Sequence, residues 1–147
     1  MSAVRKIGSA IACVLVVGIT ALAGPVAYAH DGTPCRAKAH ACVDLGAGKA
    51  WLMSQGKVTY GPAPMSSGKR GYATPTGMFR VTWKNKDHWS KEYDGPMPYA
   101  VFFTDNGHAF HQGDIKQGSH GCIRLTRSAA QTFFATLDPG DFVQIAR

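Results

Sequence analysis

Acidic residues are scarce in this sequence: nine Asp and Glu stand against sixteen Lys and Arg in 147 residues, a formal charge of +7. There is no Cys-x-x-Cys pair and no His-Glu-x-x-His run, so the histidines at 88, 108, 111 and 120 do not fall into a zinc framework, and neither metal nor cofactor is expected. Recognition-helix and zinc-finger patterns are also missing. Lys and Arg are scattered, with short clusters only at Lys69-Arg70 and Lys84-Lys86, which argues against nucleic acid as a partner. No internal repeat occurs, and a long apolar run occurs only at the N-terminus.

That run is informative. Arg5 and Lys6 precede apolar and small residues from Ile7 to Ala23, followed by Pro25 and the small-residue pattern Ala27-Tyr28-Ala29. This is the order of a secretory signal peptide. Gly18, Thr20 and Gly24 interrupt the run, so cleavage after Ala29 is expected rather than a membrane anchor, with no stable span left afterwards. Loss of Arg5 and Lys6 takes Lys and Arg from 16 to 14 against nine acids, leaving a charge of +5. A basic chain outside the membrane favours anionic cell-wall polymers, mainly through steering. The expected protein is secreted or wall-associated and monomeric, with residues 30–147 long enough for one domain.

Cysteine is equally sparse. After the signal only Cys35, Cys42 and Cys122 remain, and exported chains normally pair their thiols. Cys35 and Cys42 enclose six residues and can close a small loop, which leaves Cys122 as the odd thiol. Free cysteines are often inert core residues, so the neighbours of Cys122 decide its meaning.

Short apolar runs punctuated by glycine and proline make most of the domain β. Ala50–Met53 and Val58–Tyr60 flank Gln55-Gly56 as a hairpin, and further strands are expected at Met78–Trp83, Tyr99–Phe103 and Phe142–Ile145. One segment has helical period: Ala130, Phe133, Phe134 and Leu137, after an N-cap at Thr126. A helix over Arg127–Leu137 follows, stopped before Asp138-Pro139-Gly140. Trp51, Phe79, Phe102, Phe103, Phe133 and Phe134 are expected in the core, and His88 as a surface or packing residue. Tyr72, Trp83 and Trp89 suit either a substrate groove or an exposed loop.

A thiol attacks as thiolate, so a catalytic cysteine needs a base within reach and donors for the oxyanion it creates. His111 lies eleven residues before Cys122, in Phe110-His111-Gln112-Gly113, and His120 lies two before it. If Ser119 to Arg124 are extended, His120, Cys122 and Arg124 share a face. A base reaching in from a separate segment meets sulfur more freely, which favours His111. His108 is a rival three residues earlier. Gly121 lets substrate approach the backbone, and the amides of Gly121 and Cys122 are candidate oxyanion donors.

His111 followed by Ser119-His120-Gly121-Cys122-Ile123-Arg124-Leu125 resembles the signature of the L,D-transpeptidase catalytic domain family. Ser67-Gly68 and Thr74-Pro75-Thr76-Gly77-Met78-Phe79 add to the likeness, which covers roughly residues 43–145. The resemblance implies a mainly β, β-sandwich-like catalytic domain over 43–147, with one short helix after the cysteine motif. It would follow a signal peptide (1–29) and an N-terminal segment (30–42) holding the Cys35–Cys42 bridge. It also implies acyl transfer on peptidoglycan stem peptides; the alternatives are an L,D-carboxypeptidase or other secreted cysteine peptidase acting on stem peptides, and a non-catalytic cell-wall-binding module. Cys122 would attack the third residue's carbonyl, expel D-alanine and form a thioester, which a neighbouring stem's amine resolves as a 3→3 cross-link and water resolves by hydrolysis. His111 would then be general base and acid. Ser119, His120 and Gly121 would support the thiol or the oxyanion, and Arg124 would bind a substrate carboxylate or brace the loop. The short interval from His111 to Cys122 implies a trimmed substrate loop.

Overall fold

A computed structural model describes residues 32–147; the expected signal peptide and its cleavage point lie outside the described residues. The chain forms, in order, β1 (Ala41–Asp44), β2 (Lys49–Ser54), β3 (Lys57–Ser66), β4 (Gly77–Arg80), β5 (Trp83–Ser90), β6 (Gly95–Phe102), β7 (Ala109–Gln112), β8 (Ile123–Leu125), α1 (Arg127–Thr136) and β9 (Phe142–Ala146). The nine strands hydrogen-bond in the order β4-β9-β1-β2-β3-β8-β7-β6-β5. The mainly β domain with one helix is therefore present, and the two faces of the sandwich-like expectation are halves of one curled sheet. The long strand β3 joins them, pairing with β2 along most of its length and with β8 at Met65 and Ser66.

The helix fills the space inside the curl. Thr126 caps it by accepting from the Ala129 amide, and Ala129, Ala130, Phe133 and Leu137 bury their side chains. Phe133 meets Tyr60 edge-on and Phe110 at a tilt, so one ring ties the helix to both halves of the sheet. At the C-terminus, Lys84 Nζ donates to the Phe134 and Leu137 carbonyls and pairs with Asp138 at 3.1 Å. A cation placed there satisfies orphan carbonyls at the negative end of the helix.

The expected strand Met78–Trp83 is divided in two. β4 pairs with β9 as far as Arg80, Val81 donates to Asp141, and Thr82 donates to Phe102 at the opposite end of the sheet. The chain thus changes partners at Val81-Thr82, a switch that local alternation does not encode.

Cys35 and Cys42 form a disulfide, and Cys42 sits on β1, so the bridge fastens the preceding segment to the sheet. Both sulfurs are buried beside Trp51 and Met53. Replacing both cysteines by alanine is expected to lower stability by about 2.5 kcal/mol, from the closure entropy of so short a loop. Urea unfolding measures it, and an unchanged midpoint would mean that the bridge adds nothing.

Candidate active site

The run from Ser119 to Cys122 is pinned to the segment after β3. Gly68 bridges Ser119, the Lys69 amide donates to the Ser119 carbonyl at 2.9 Å, and the Ser119 amide donates to Ser67 at 2.8 Å. The Ser119 hydroxyl donates to the Cys122 carbonyl at 2.6 Å and accepts from the Gly121 amide at 3.0 Å. Ser119 therefore ties both ends of the turn that carries Cys122.

The condition of an extended run over Ser119–Arg124 is not met, because the strand begins only at Ile123. Gly121 has φ +118°, and a Cβ there would lie 2.8 Å from His108 Nε2. Conformation and space both require glycine. The turn also spends the Gly121 amide on Ser119, so of the two expected oxyanion donors the Cys122 amide is the one not committed to that bond.

His111 lies on β7, which runs parallel to β8. Phe110 pairs with Ile123 and His111 with Arg124, so imidazole and thiol stand on neighbouring elements. The His111 side chain is buried at 6 % exposure, and Nδ1 lies 2.7 Å from the Gln112 carbonyl. A carbonyl only accepts, so Nδ1 carries the proton and Nε2 keeps its lone pair. Burial lowers the His111 pKa to about 4; the Gln112 bond opposes this, and the charges of Arg124 and His88 add to it. Its base form is therefore present throughout the neutral range.

The other two histidines are placed differently. His120 stacks face to face on Tyr93 at 4.2 Å and meets Tyr72 edge-on at 4.7 Å, so its ring is held in an aromatic sandwich. His108 Nδ1 contacts the Thr104 hydroxyl at 2.8 Å, a group that can donate or accept and so leaves the tautomer unfixed. Burial lowers the His108 pKa as well.

Cys122 is partly exposed and forms no disulfide, and its Sγ donates to the Gly107 carbonyl at 3.7 Å. Burial raises its pKa above the ordinary thiol value, against weaker lowering by a hydrogen bond from the Ala109 backbone and by the Arg124 charge. Thiol and imidazole thus both rest uncharged near neutral pH. Alkylation of Cys122 by iodoacetamide should rise about tenfold per pH unit from 7 to 9, following the thiolate fraction. A rate already flat at pH 7 would show a preformed thiolate.

The cysteine opens onto two cavities. One, of about 220 Å³, is lined by His111, Ser119, His120, Arg124, Tyr93 and Met97, among others. The other, of about 480 Å³, reaches past His108 and His88 to Trp83 and Trp89. His120 and Tyr93 border both. Arg124 also donates to the Gln117 carbonyl at 3.4 Å, bracing the loop between His111 and Cys122.

The β5–β6 arm supplies walls that the sequence left undecided. Trp83 stacks on Phe102 at 4.2 Å, with His88 edge-on to both rings, and Trp89 is 54 % exposed. Tyr93 and Met97 were not singled out from the sequence. The available signal was a cluster of large aromatics in a polar stretch, which a packed core does not explain. Among the described residues, no three His, Cys, Asp or Glu side chains converge to hold a metal, and no helix is long and apolar enough to cross a membrane.

Residues 38–145 match the YkuD family, described as L,D-transpeptidase catalytic domain. Among solved structures, an L,D-transpeptidase (Yku) from Stackebrandtia nassauensis is 35% identical, with a TM-score of 0.69, over 73% of this chain and 54% of that one. The Ldtfm-avibactam carbamoyl enzyme is 26% identical, with a TM-score of 0.66, over 75% and 49%. L,D-transpeptidase 3 from Mycobacterium tuberculosis, solved with a faropenem-derived adduct, shares the fold at 22% identity and a TM-score of 0.66, over 71% and 58%. The chain spans about half the length of these relatives. Comparison with curated protein sequences gives no match. A free cysteine and a buried, tautomer-fixed histidine that line one cavity, together with a match over most of the chain, place the protein in the YkuD family of L,D-transpeptidase catalytic domains.

Proposed function

We propose that this chain is an exported L,D-transpeptidase that forms 3→3 peptidoglycan cross-links through a thioester on Cys122. The observation that carries the reading is that the free thiol and His111 line one cavity, with the Nδ1 contact to Gln112 leaving Nε2 free to act as a base.

In this reading the Cys122 sulfur attacks the carbonyl of the donor stem's third residue as its proton passes to His111 Nε2. The oxyanion is met by the Cys122 amide. Collapse breaks the bond to the terminal D-alanine, whose nitrogen takes the proton from His111, and leaves the thioester. The acceptor amine then attacks, gives a proton to His111, and the sulfur leaves and is reprotonated. Two adjoining cavities that share Cys122 suit a reaction that brings two stems to one sulfur in turn. Arg124, on the smaller cavity, serves a donor carboxylate as well as the loop. Export rests on the N-terminal sequence, and attraction to the anionic wall on the basic charge. In this reading the chain acts as a monomer.

Incubation with purified disaccharide-tetrapeptides, with products identified by mass spectrometry, tests the proposal. Free D-alanine and 3→3 dimers are expected. Cleavage of ordinary L,L-peptide bonds with the stems untouched would overturn it.

A further inference from the structure

Thr74 is buried at 4 % exposure, yet none of the steps above uses it. Its hydroxyl accepts from the Gly68 amide at 2.9 Å and contacts the Gly121 carbonyl at 2.8 Å. A carbonyl has no proton to give, so the hydroxyl proton lies on the Gly121 bond and the direction of both bonds is fixed. The carbonyl of Gly121 belongs to the peptide group that carries the Cys122 N–H. That group is planar and trans, so holding its oxygen on one side aims its N–H to the other. Ser119 grips the flanking groups, the Gly121 amide and the Cys122 carbonyl. Thr74 grips the one between.

We infer that Thr74 is a positioning residue for acyl transfer, its hydroxyl holding the Gly121–Cys122 peptide so that the Cys122 amide meets the oxyanion. The inference deepens the proposed function and rests on it for the identity of the acyl donor. The link from the segment after β3 to the nucleophile's turn then acts on the transition state more than on substrate binding, because an oxyanion exists only during attack.

Two reagents separate positioning from plain structural support. 4-Nitrophenyl acetate acylates a thiol through a tetrahedral oxyanion; iodoacetamide alkylates it without one. Thr74→Val keeps the shape and removes the hydroxyl, and Thr74→Ser keeps the hydroxyl. Single-turnover acylation by the ester should fall 10- to 100-fold in Thr74→Val, with alkylation at pH 9 within twofold of the parent. Thr74→Ser should acylate within threefold of the parent. With tetrapeptide donor the loss should fall on kcat, with KM within twofold. Should Thr74→Val fail to fold, Thr74→Ala carries the same comparison.

Equal falls in acylation and alkylation would overturn the inference, as would parental acylation by the valine variant or a serine variant as slow as the valine one. Parent protein that the ester acylates but that releases no D-alanine from muropeptides would refute the transpeptidase reading, while the ester results still decide the role of Thr74.

Discussion

Replacing His111 by glutamine should slow acylation of Cys122 by a tetrapeptide donor about 1,000-fold, roughly 4 kcal/mol of transition-state stabilisation. The size of the loss follows from the resting state. Burial keeps the thiol above its ordinary pKa and brings His111 down to about 4, so almost no thiolate exists until a base takes the proton during attack. Alkylation at pH 9, which draws on the thiolate that hydroxide forms without His111, should stay within threefold of the parent. The pH profile adds an independent check. A group with a lowered pKa keeps its base form until pH falls to that value, so parental kcat/KM should be flat from pH 5 to 7. It should drop about tenfold per unit below about 4 as His111 gains a proton. The glutamine variant should lose that acid limb. If the limb survives, another group is the base, and His108 becomes the first candidate.

The second large effect comes from a residue that carries no chemistry. A Cβ on Gly68 would overlap the Tyr72 carbonyl and sit 2.8 Å from the Thr74 nitrogen, both backbone atoms that cannot step aside alone. Gly68→Ala must therefore shift the segment from Gly68 to Thr74. That segment holds the Gly68–Ser119 bridge and the Thr74 bond to Gly121. A stability loss of about 2–3 kcal/mol is expected, at the upper end of overpacking costs, together with a fall in acylation of about 100-fold. Urea unfolding and the nitrophenyl ester assay measure the two. Parental values in both would mean that the turn does not depend on this close approach.

Much of this was legible in the sequence where the information is local. The Gln55-Gly56 hairpin, the last strand at Phe142 and the Thr126-capped helix each follow from turn residues or periodicity within a dozen positions. The leftover thiol was found by counting; the preference for His111 over His108 and His120 rested on a separate segment reaching the sulfur more freely, and the pH profile above decides it. The rest depends on long-range pairing. β7 and β8 are only four and three residues long, and they are held by pairing in parallel with each other and antiparallel with β6 and β3. β5 reads as polar loop because both of its faces carry charge, and β6 makes it a strand. The bond from Thr74 to Gly121 spans 47 residues, so no spacing rule reveals it. The tautomer of His111 depends on how its ring turns toward the Gln112 carbonyl, which sequence adjacency does not determine.

Intact-protein mass during reaction with a disaccharide-tetrapeptide tests the central claim most directly. The parent should gain the mass of the donor less D-alanine on Cys122 and lose it when an acceptor stem is added, as 3→3 dimer appears, while Cys122→Ala shows neither adduct nor dimer. An alanine variant that cross-links as well as the parent would contradict the account.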